Sequence, residues 1–460
     1  MISFTSLTFI FRFLPLFLIL YYAVPSKFRN LIIIIGSLFF YAVGEPIFIA
    51  VLVGLIVANF LVADIGYRFK NTTSKCNRYR LKHKKRMLCA IMVSIDIIAL
   101  VTFKILATFV ESTLLPLGLS FYIFKMVSYQ VDVYRATIPV RPKFIDTAAY
   151  FSVFAQITQG PIMRYEDGAF YNDKYFSIKN IEEGLKYFII GFGMKVILAD
   201  RIGILFNDLG MYGYQSITTP LAWLGAFAYS FQLYFDFWGY SLMAEGIMVA
   251  MGFDFVRNFN HPYASNSVSE FYRRWHMTLG DFFKDYVYFP LGGSRCSKGK
   301  MVFNLGVVWI LTGIWHGNGI NFLIWGAALG IFIILEKVSY GKKLSKIPVL
   351  SNLYVLIVIP LTWVVFAIKD LGDLGSYFSR LFPFFGTNDI AVNGNDFLEY
   401  LGDYWWMFLL AIVLCIPKTS EIYEKHKNKW YVTILLLIVF WIAVYFSAST
   451  DGNPFMYLNF

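Results

Sequence analysis

The sequence predicts an all-α polytopic membrane protein with about 10–12 membrane helices, some short or re-entrant, plus helices lying at the cytoplasmic interface. Three observations lead there: an apolar composition, a succession of apolar runs, and short loops rich in Lys and Arg between them. Of 460 residues, 58% are hydrophobic, 20% aromatic and 15% charged. Soluble domains carry about 45–50% apolar and about 25% charged residues. A soluble fold cannot hide that much apolar surface, whereas a bilayer accepts it. The whole chain, 1–460, reads as one integral membrane domain.

The apolar runs fall at 5–24, 30–43, 47–63, 87–110, 114–133, 184–207, 219–251, 302–316, 320–337, 348–368, 404–417 and 430–448. Crossing the hydrocarbon takes about 20 apolar residues, so the shorter runs read as tilted hairpins or as re-entrant pieces buried in protein. The first run is interrupted by Arg12 and Pro15 and has no small-residue cleavage site after it. It reads as a retained helix and not as a secretion signal. Segment 302–337 reads as a helical hairpin. Two stretches are not ordinary spans. Residues 136–183 mix charges with Pro139, Pro142 and the turn Gly160-Pro161. Residues 252–301 alternate aromatics with Arg257, Arg273, Arg274, Lys284 and Arg295. That pattern suits cytoplasmic interfacial helices, with aromatic faces in lipid and bases at the headgroups.

Loop charge sets the orientation. The formal net charge is +11, and the excess sits in loops, which is a positive-inside signal and not a nucleic-acid footprint. Loop 64–86 carries Arg68, Lys70, Lys75, Arg78, Arg80, Lys82, Lys84, Lys85 and Arg86, so it is expected in the cytoplasm. Arg135, Arg141 and Lys143 follow on the same side, as do Lys342, Lys343, Lys346 and the group Lys418, Lys425, Lys427 and Lys429. Loop 369–403, with Asp370, Asp373, Asp389, Asp396, Glu399 and Asp403, is expected outside. Counting crossings places both termini outside.

Chemistry narrows to the histidines. Cys76, Cys89, Cys296 and Cys415 form no CxxC pair, and no HxxxH occurs, so neither a metal nor a disulfide framework is indicated. No Gly-rich phosphate loop precedes a helix. His83 and His426 sit in basic loops and read as solvated, while His261, before Pro262, suits a structural hydrogen bond. His316 closes an apolar run in Thr312-Gly313-Ile314-Trp315-His316-Gly317, deep in the bilayer by helical rise. A titratable group there is costly unless it serves a purpose or packs with a partner such as Trp315; the residues leave both open. His276, in Arg273-Arg274-Trp275-His276, reads by itself as part of an exposed basic cluster touching headgroups. Lys195, Asp200, Arg201 and Asp236, inside apolar runs, read as ion pairs holding helices together.

With those residues in view, the chain resembles the membrane-bound O-acyltransferase family, in particular its bacterial alginate-acetylating branch. The likeness is carried by an ordered series: 39–46 (FFYAVGEP), 115–122 (LPLGLSFY), 160–165 (GPIMRY), 234–237 (YFDF), 273–276 (RRWH), 285–295 (DYVYFPLGGSR), Trp315-His316-Gly317, Trp325-Gly326 and the terminal 455–460 (FMYLNF). The resemblance implies a fold with a central tunnel, His316 as the main catalytic histidine and His276 as the second polar residue of the active site. It also implies substrate binding by Arg273, Arg274, Trp275, Asp285, Arg295 and Trp315. Trp238 and Leu242 stand near Asp236 where the family usually has a small residue and an acid, which bears on tunnel width.

The expected activity is transfer of an acetyl group from cytoplasmic acetyl-CoA across the membrane toward hydroxyls of an extracellular polysaccharide or cell-wall glycan. An extracytoplasmic acetyltransferase partner is expected to complete the transfer, with no resident cofactor. His316 would take the hydroxyl proton as neutral imidazole. His276 would position the thioester or stabilise the developing oxyanion. Arg273, Arg274, Lys284, Arg295 and Lys298 would attract the phosphates of coenzyme A or an acidic carrier protein. The rival readings are D-alanyl transfer to teichoic acid, a transporter or flippase for lipid-linked sugars, and a scaffold that only docks a secreted partner. A transporter predicts a repeated pair of broken helices, which the sequence does not display, and it gives the histidines no task.

Overall fold

The computed structural model describes residues 3–69, 75–138, 140–385, 392–449 and 456. Lys70, Pro139, Asp389, Phe455 and residues 457–460, which entered the sequence reading, lie outside the described residues, as do the side chains of Lys75, Cys76 and Arg78. Every regular element among the described residues is helical. The longer helices are α1 (Leu14–Ala23), α2 (Arg29–Gly44), α3 (Ile49–Arg68), α4 (Lys75–Phe109), α5 (Leu119–Arg135), α6 (Phe144–Ser152), α7 (Ile178–Gly193), α8 (Asp200–Tyr212) and α9 (Thr219–Ala250). They continue as α10 (Val268–Arg274), α11 (Met277–Phe283), α12 (Lys298–His316), α13 (Ile320–Leu335), α14 (Pro348–Ala367), α15 (Leu371–Leu381), α16 (Asp396–Cys415), α17 (Pro417–His426) and α18 (Trp430–Ser449). Within the described residues 8 helices are long and apolar enough to cross a membrane, and each of the apolar runs read from the sequence falls on a helix.

The helix ends differ from the apolar runs for a physical reason. Segment 64–86 is helical up to Arg68 and again from Lys75, because Lys and Arg are good helix formers. Hydropathy marks where the chain leaves lipid, not where its hydrogen bonds stop. The acidic segment 369–403 likewise holds α15, started by Asp370, whose Oδ1 accepts from the Asp373 N–H at 2.9 Å. Its far end is already the first turns of α16.

The chain forms two compact units. The first comprises Met1–Phe188, Tyr240–Val256 and Ser447–Pro454. In it α3, α4 and α5 share a buried polar trio. Asn59 Nδ2 donates to Asp96 Oδ1 at 2.9 Å, and Gln130 Nε2 donates to Asn59 Oδ1 at 2.9 Å. Such bonds join helices in lipid, where hydrophobicity gives no preference for a neighbouring helix. Phe4, Phe9, Phe13, Phe17 and Phe40 gather around Phe154.

The second unit comprises Ile189–Gly239, Arg257–Phe446 and Phe455–Phe460. Lys195, in a π-helical turn at Met194–Ala199, places Nζ 2.5 Å from both Asp200 Oδ1 and Asp236 Oδ1. The ion pairing expected of these three residues is present, while Arg201 lies over the Phe446 ring at 4.3 Å. Helices α12 and α13 follow one another through a short turn, and their backbones touch. A Cβ added at Gly326 would lie 2.6 Å from the Trp309 carbonyl oxygen, and one at Gly313 2.6 Å from that of Phe322. Bare glycine at both positions is what lets the two helices close. With 19 residues, α12 rises about 28 Å, close to the hydrocarbon thickness of about 30 Å.

Candidate active site

His316 ends α12 and is 6% exposed. Its ring is walled by Trp315, Trp325 and Phe366, with centroids at 4.6, 4.9 and 5.2 Å. The turn that follows is fixed to α14 by Asn321, whose Nδ2 donates to the Phe366 carbonyl at 2.9 Å. Asn318 in that turn is exposed. His316 therefore sits two residues inside the end of the helix pair opposite Lys298.

His276 occupies the joint between α10 and α11, at a left-handed φ of 44°. A non-glycine residue there carries strain that its surroundings must hold. The side chain is 2% exposed, which overturns the reading of His276 as part of an exposed basic cluster. Nδ1 lies 3.0 Å from Asn258 Oδ1, and the Phe237 ring packs at 4.7 Å. Burial pushes its pKa down to about 3, because the charged imidazolium cannot be solvated there. Trp315 links the two histidines, its ring centroid 6.2 Å from that of His276 and 4.6 Å from that of His316.

The aromatic residues of 252–301 also differ from expectation. Phe253, Phe259, Tyr263, Phe271, Trp275, Phe282 and Phe283 are buried in protein instead of facing lipid. Trp275 explains why: its ring meets Phe259 at 5.1 Å, Phe271 at 5.6 Å and Trp363 at 5.0 Å, contacts that specify a packed core. Helix α10 is anchored at its start. Ser267 Oγ accepts from the Glu270 N–H at 2.9 Å. The Glu336 carboxylate accepts from the N–H groups of Val268 (2.6 Å) and Ser269 (2.9 Å) and from the Ser269 hydroxyl. Glu336 thereby ties the π-helical turn Glu336–Tyr340 after α13 to the segment that carries His276.

A cavity of about 720 Å³ reaches both histidines. One wall is a stripe of α12, Leu305, Val308, Trp309, Thr312 and His316, at the i, i+3, i+4 spacing of a single helix face. That stripe runs about 16 Å along the helix. Arg273, Lys284, Lys337 and Lys342 also line the cavity, and all four are exposed. The two carboxylates among the lining residues are engaged, Glu336 as above and Glu270 with Arg274 at 2.6 Å. The lining thus combines four exposed cations, several aromatic rings and two buried imidazoles.

Of the residues singled out from sequence, His316, His276, Arg273 and Trp275 line this cavity. Trp315 stands beside both imidazoles without lining it, and Arg274 turns to Glu270. Asp285 and the exposed Arg295 are not among its lining residues, nor is Lys298. Among the other histidines, His261 makes the structural bond expected of it, Nε2 to Ser420 Oγ at 2.8 Å. Sequence reading missed Thr312, Trp309, Glu336 and Asn258 as site residues. Stepping back along the helix from His316 by four, seven, eight and eleven positions would have found the α12 stripe. Asn258 lies in an irregular segment 18 residues before His276, and no periodicity points to it.

Residues 67–342 match the model of the membrane-bound O-acyltransferase family. The chain is 37% identical over 395 residues to a probable alginate O-acetylase of Pseudomonas syringae pv. tomato, an alignment covering 83% of this chain and 75% of that one. It is 29% identical over 524 residues to a peptidoglycan O-acetyltransferase of Helicobacter pylori, covering 99% of this chain and 97% of that one. A teichoic acid D-alanyltransferase of Bacillus subtilis is 30% identical over 224 residues, covering 46% and 56% respectively.

Proposed function

The chain belongs to the membrane-bound O-acyltransferase family, and on that premise we propose that it moves an acetyl group from cytoplasmic acetyl-CoA to a hydroxyl destined for a polysaccharide or cell-wall glycan outside. It is a multi-pass O-acyltransferase of a bacterial membrane. The observation that carries the finer reading is one cavity lined both by exposed Lys and Arg side chains and by two buried imidazoles. The names of the relatives that match most of the chain, an alginate O-acetylase and a peptidoglycan O-acetyltransferase, support acetyl as the group and a glycan as its destination.

The exposed cations suit the phosphates of coenzyme A, which guanidinium and ammonium groups bind through charge-assisted hydrogen bonds. The pantetheine arm then runs along the α12 stripe and brings the thioester carbonyl to the histidines. The acceptor hydroxyl arrives from the side of the exposed Asn318 turn. Its oxygen bonds to the carbonyl carbon while its proton passes to His316. The C–S bond then breaks, and the departing thiolate takes the proton back from the imidazolium. The ester leaves, and His316 is again neutral. An extracytoplasmic acetyltransferase partner carries the group on to the polymer.

The test is purified full-length protein in nanodiscs given acetyl-CoA labelled in its acetyl group. Release of coenzyme A with label appearing in an ester, lost in the His316→Ala protein, supports the proposal. An inert wild-type protein, together with cells whose surface polymer stays acetylated when they carry His316→Ala, overturns it.

A further inference from the structure

The two imidazoles are held differently, and the difference fixes where His276 keeps its proton. Asn258 Oδ1 lies 2.9 Å from the Thr278 hydroxyl and accepts from the Thr278 backbone N–H at 3.4 Å. A backbone N–H can only donate, so the atom of Asn258 at this place is the oxygen and not the amide nitrogen. The same oxygen lies 3.0 Å from His276 Nδ1. An acceptor on one side requires a donor on the other, so Nδ1 carries the hydrogen. The Asn258 carbonyl also accepts from the Met277 N–H at 2.8 Å, gripping the backbone just after the left-handed residue. Asn258 is itself 1% exposed. The other ring nitrogen of His276, Nε2, is buried and makes no hydrogen bond to the described residues, and His276 lines the cavity.

We infer that Asn258 is a positioning residue that locks His276 as its Nδ1–H tautomer, so that His276 presents a lone pair, and not an N–H, to the group that enters the cavity. The consequence rests on the acyl-transfer reading of the cavity, while the tautomer itself does not. A lone pair cannot stabilise an oxyanion, which takes hydrogen bonds from donors. Of the two tasks expected for His276, positioning therefore remains and oxyanion stabilisation falls away. His276 accepts a hydrogen bond from an amide N–H of the donor's pantetheine arm and so positions the thioester, leaving the single proton of the incoming hydroxyl to His316. The donor to the oxyanion is the Trp325 indole N–H, a buried donor with no partner among the described residues, on a side chain that also lines the cavity. The depressed basicity of His276 agrees with this division, since the ring stays neutral throughout the working pH range.

The test is the nitrogen-15 spectrum of histidine-labelled full-length protein in lipid, where protonated and bare ring nitrogens resonate far apart. The His276 signals are identified by their absence from the His276→Gln protein, or from His276→Asn if the first does not insert. A protonated Nδ1 with a bare Nε2 is the expected result; a protonated Nε2 overturns the inference. Kinetics gives a second reading. Asn258→Asp, which keeps an acceptor oxygen, retains the tautomer and most of the activity. Asn258→Ala lowers kcat by roughly 100-fold, in the range of a reacting group misplaced by about 1 Å, with a smaller change in KM for acetyl-CoA. An Asn258→Ala protein of wild-type kcat overturns the positioning role. A protein that transfers no acetyl group but shows the Nδ1–H signal would sink the proposed function and leave this assignment standing.

Discussion

Two buried polar clusters of the second unit invite comparison. Around Lys195, the ammonium is clamped between Asp200 and Asp236, and Asp236 Oδ2 also accepts from the Met456 N–H at 3.2 Å. Around His276, one nitrogen is tied to Asn258 and the other is kept bare beside a cavity. Both clusters are costly to bury. The first recovers that cost through opposite charges in contact and holds helix segments together. The second leaves part of it unrecovered at the place where a substrate can supply the missing partner. A charge-paired cluster is architecture; an imidazole left with a bare nitrogen beside a cavity marks chemistry.

The largest effect that could break this contrast belongs to the histidine cluster. His316→Ala should lower acetyl transfer by roughly 10³-fold or more, as expected for loss of a general base. Expression and membrane insertion should match wild type in a fluorescence-tagged protein. Next comes the Lys195 cluster. Lys195→Met leaves two buried carboxylates facing each other and should destabilise the fold by about 3–5 kcal/mol, read as earlier thermal unfolding in detergent. The surviving folded fraction should keep wild-type KM for the donor. A Lys195→Met protein of normal stability and no activity would reverse the two assignments.

Smaller effects sharpen the picture of the exposed cations and of the buried imidazoles. Arg273→Gln with Lys342→Gln should raise KM for acetyl-CoA by about tenfold, the equivalent of roughly 1.4 kcal/mol, with kcat little changed, and should flatten the dependence of KM on salt. Arg295→Gln, a residue outside the cavity lining, should do neither. The smallest effect concerns acidity. Because the pKa of His276 is pushed down to about 3 from an ordinary value of about 6.5, its nitrogen signals should not move between about pH 8 and pH 5. The sign for stability follows from linkage. The unfolded chain takes up a proton below about pH 6.5 and the folded one does not, so His276 favours unfolding progressively as pH falls through that window.

Much of this was legible in the sequence, and the boundary of legibility is instructive. Apolar runs located the helices because the bilayer makes hydrophobicity their dominant constraint. They misplaced helix starts such as Lys75 and Asp396, because charged turns outside the lipid keep their backbone bonds. His316 announced itself as a titratable group at the end of an apolar run. His276 did not, since neighbouring arginines make 273–276 look like surface. Only the packing of Trp275 against Phe259, Phe271 and Trp363 turns that segment inward. Asn258 was invisible because its partners are set by tertiary structure, and a lone asparagine before a phenylalanine carries no pattern.

The left-handed backbone at His276 has a consequence for what may replace it. With φ at 44°, the joint tolerates glycine, and asparagine or aspartate with modest cost, but it resists β-branched residues. A library randomised at that codon and selected only for folding should therefore return those few small or polar residues. One selected for turnover should keep only those that still offer an acceptor atom to the cavity. The overlap between the two sets is narrow, so the bend in the main chain restricts the choice of side chain before any reaction is considered.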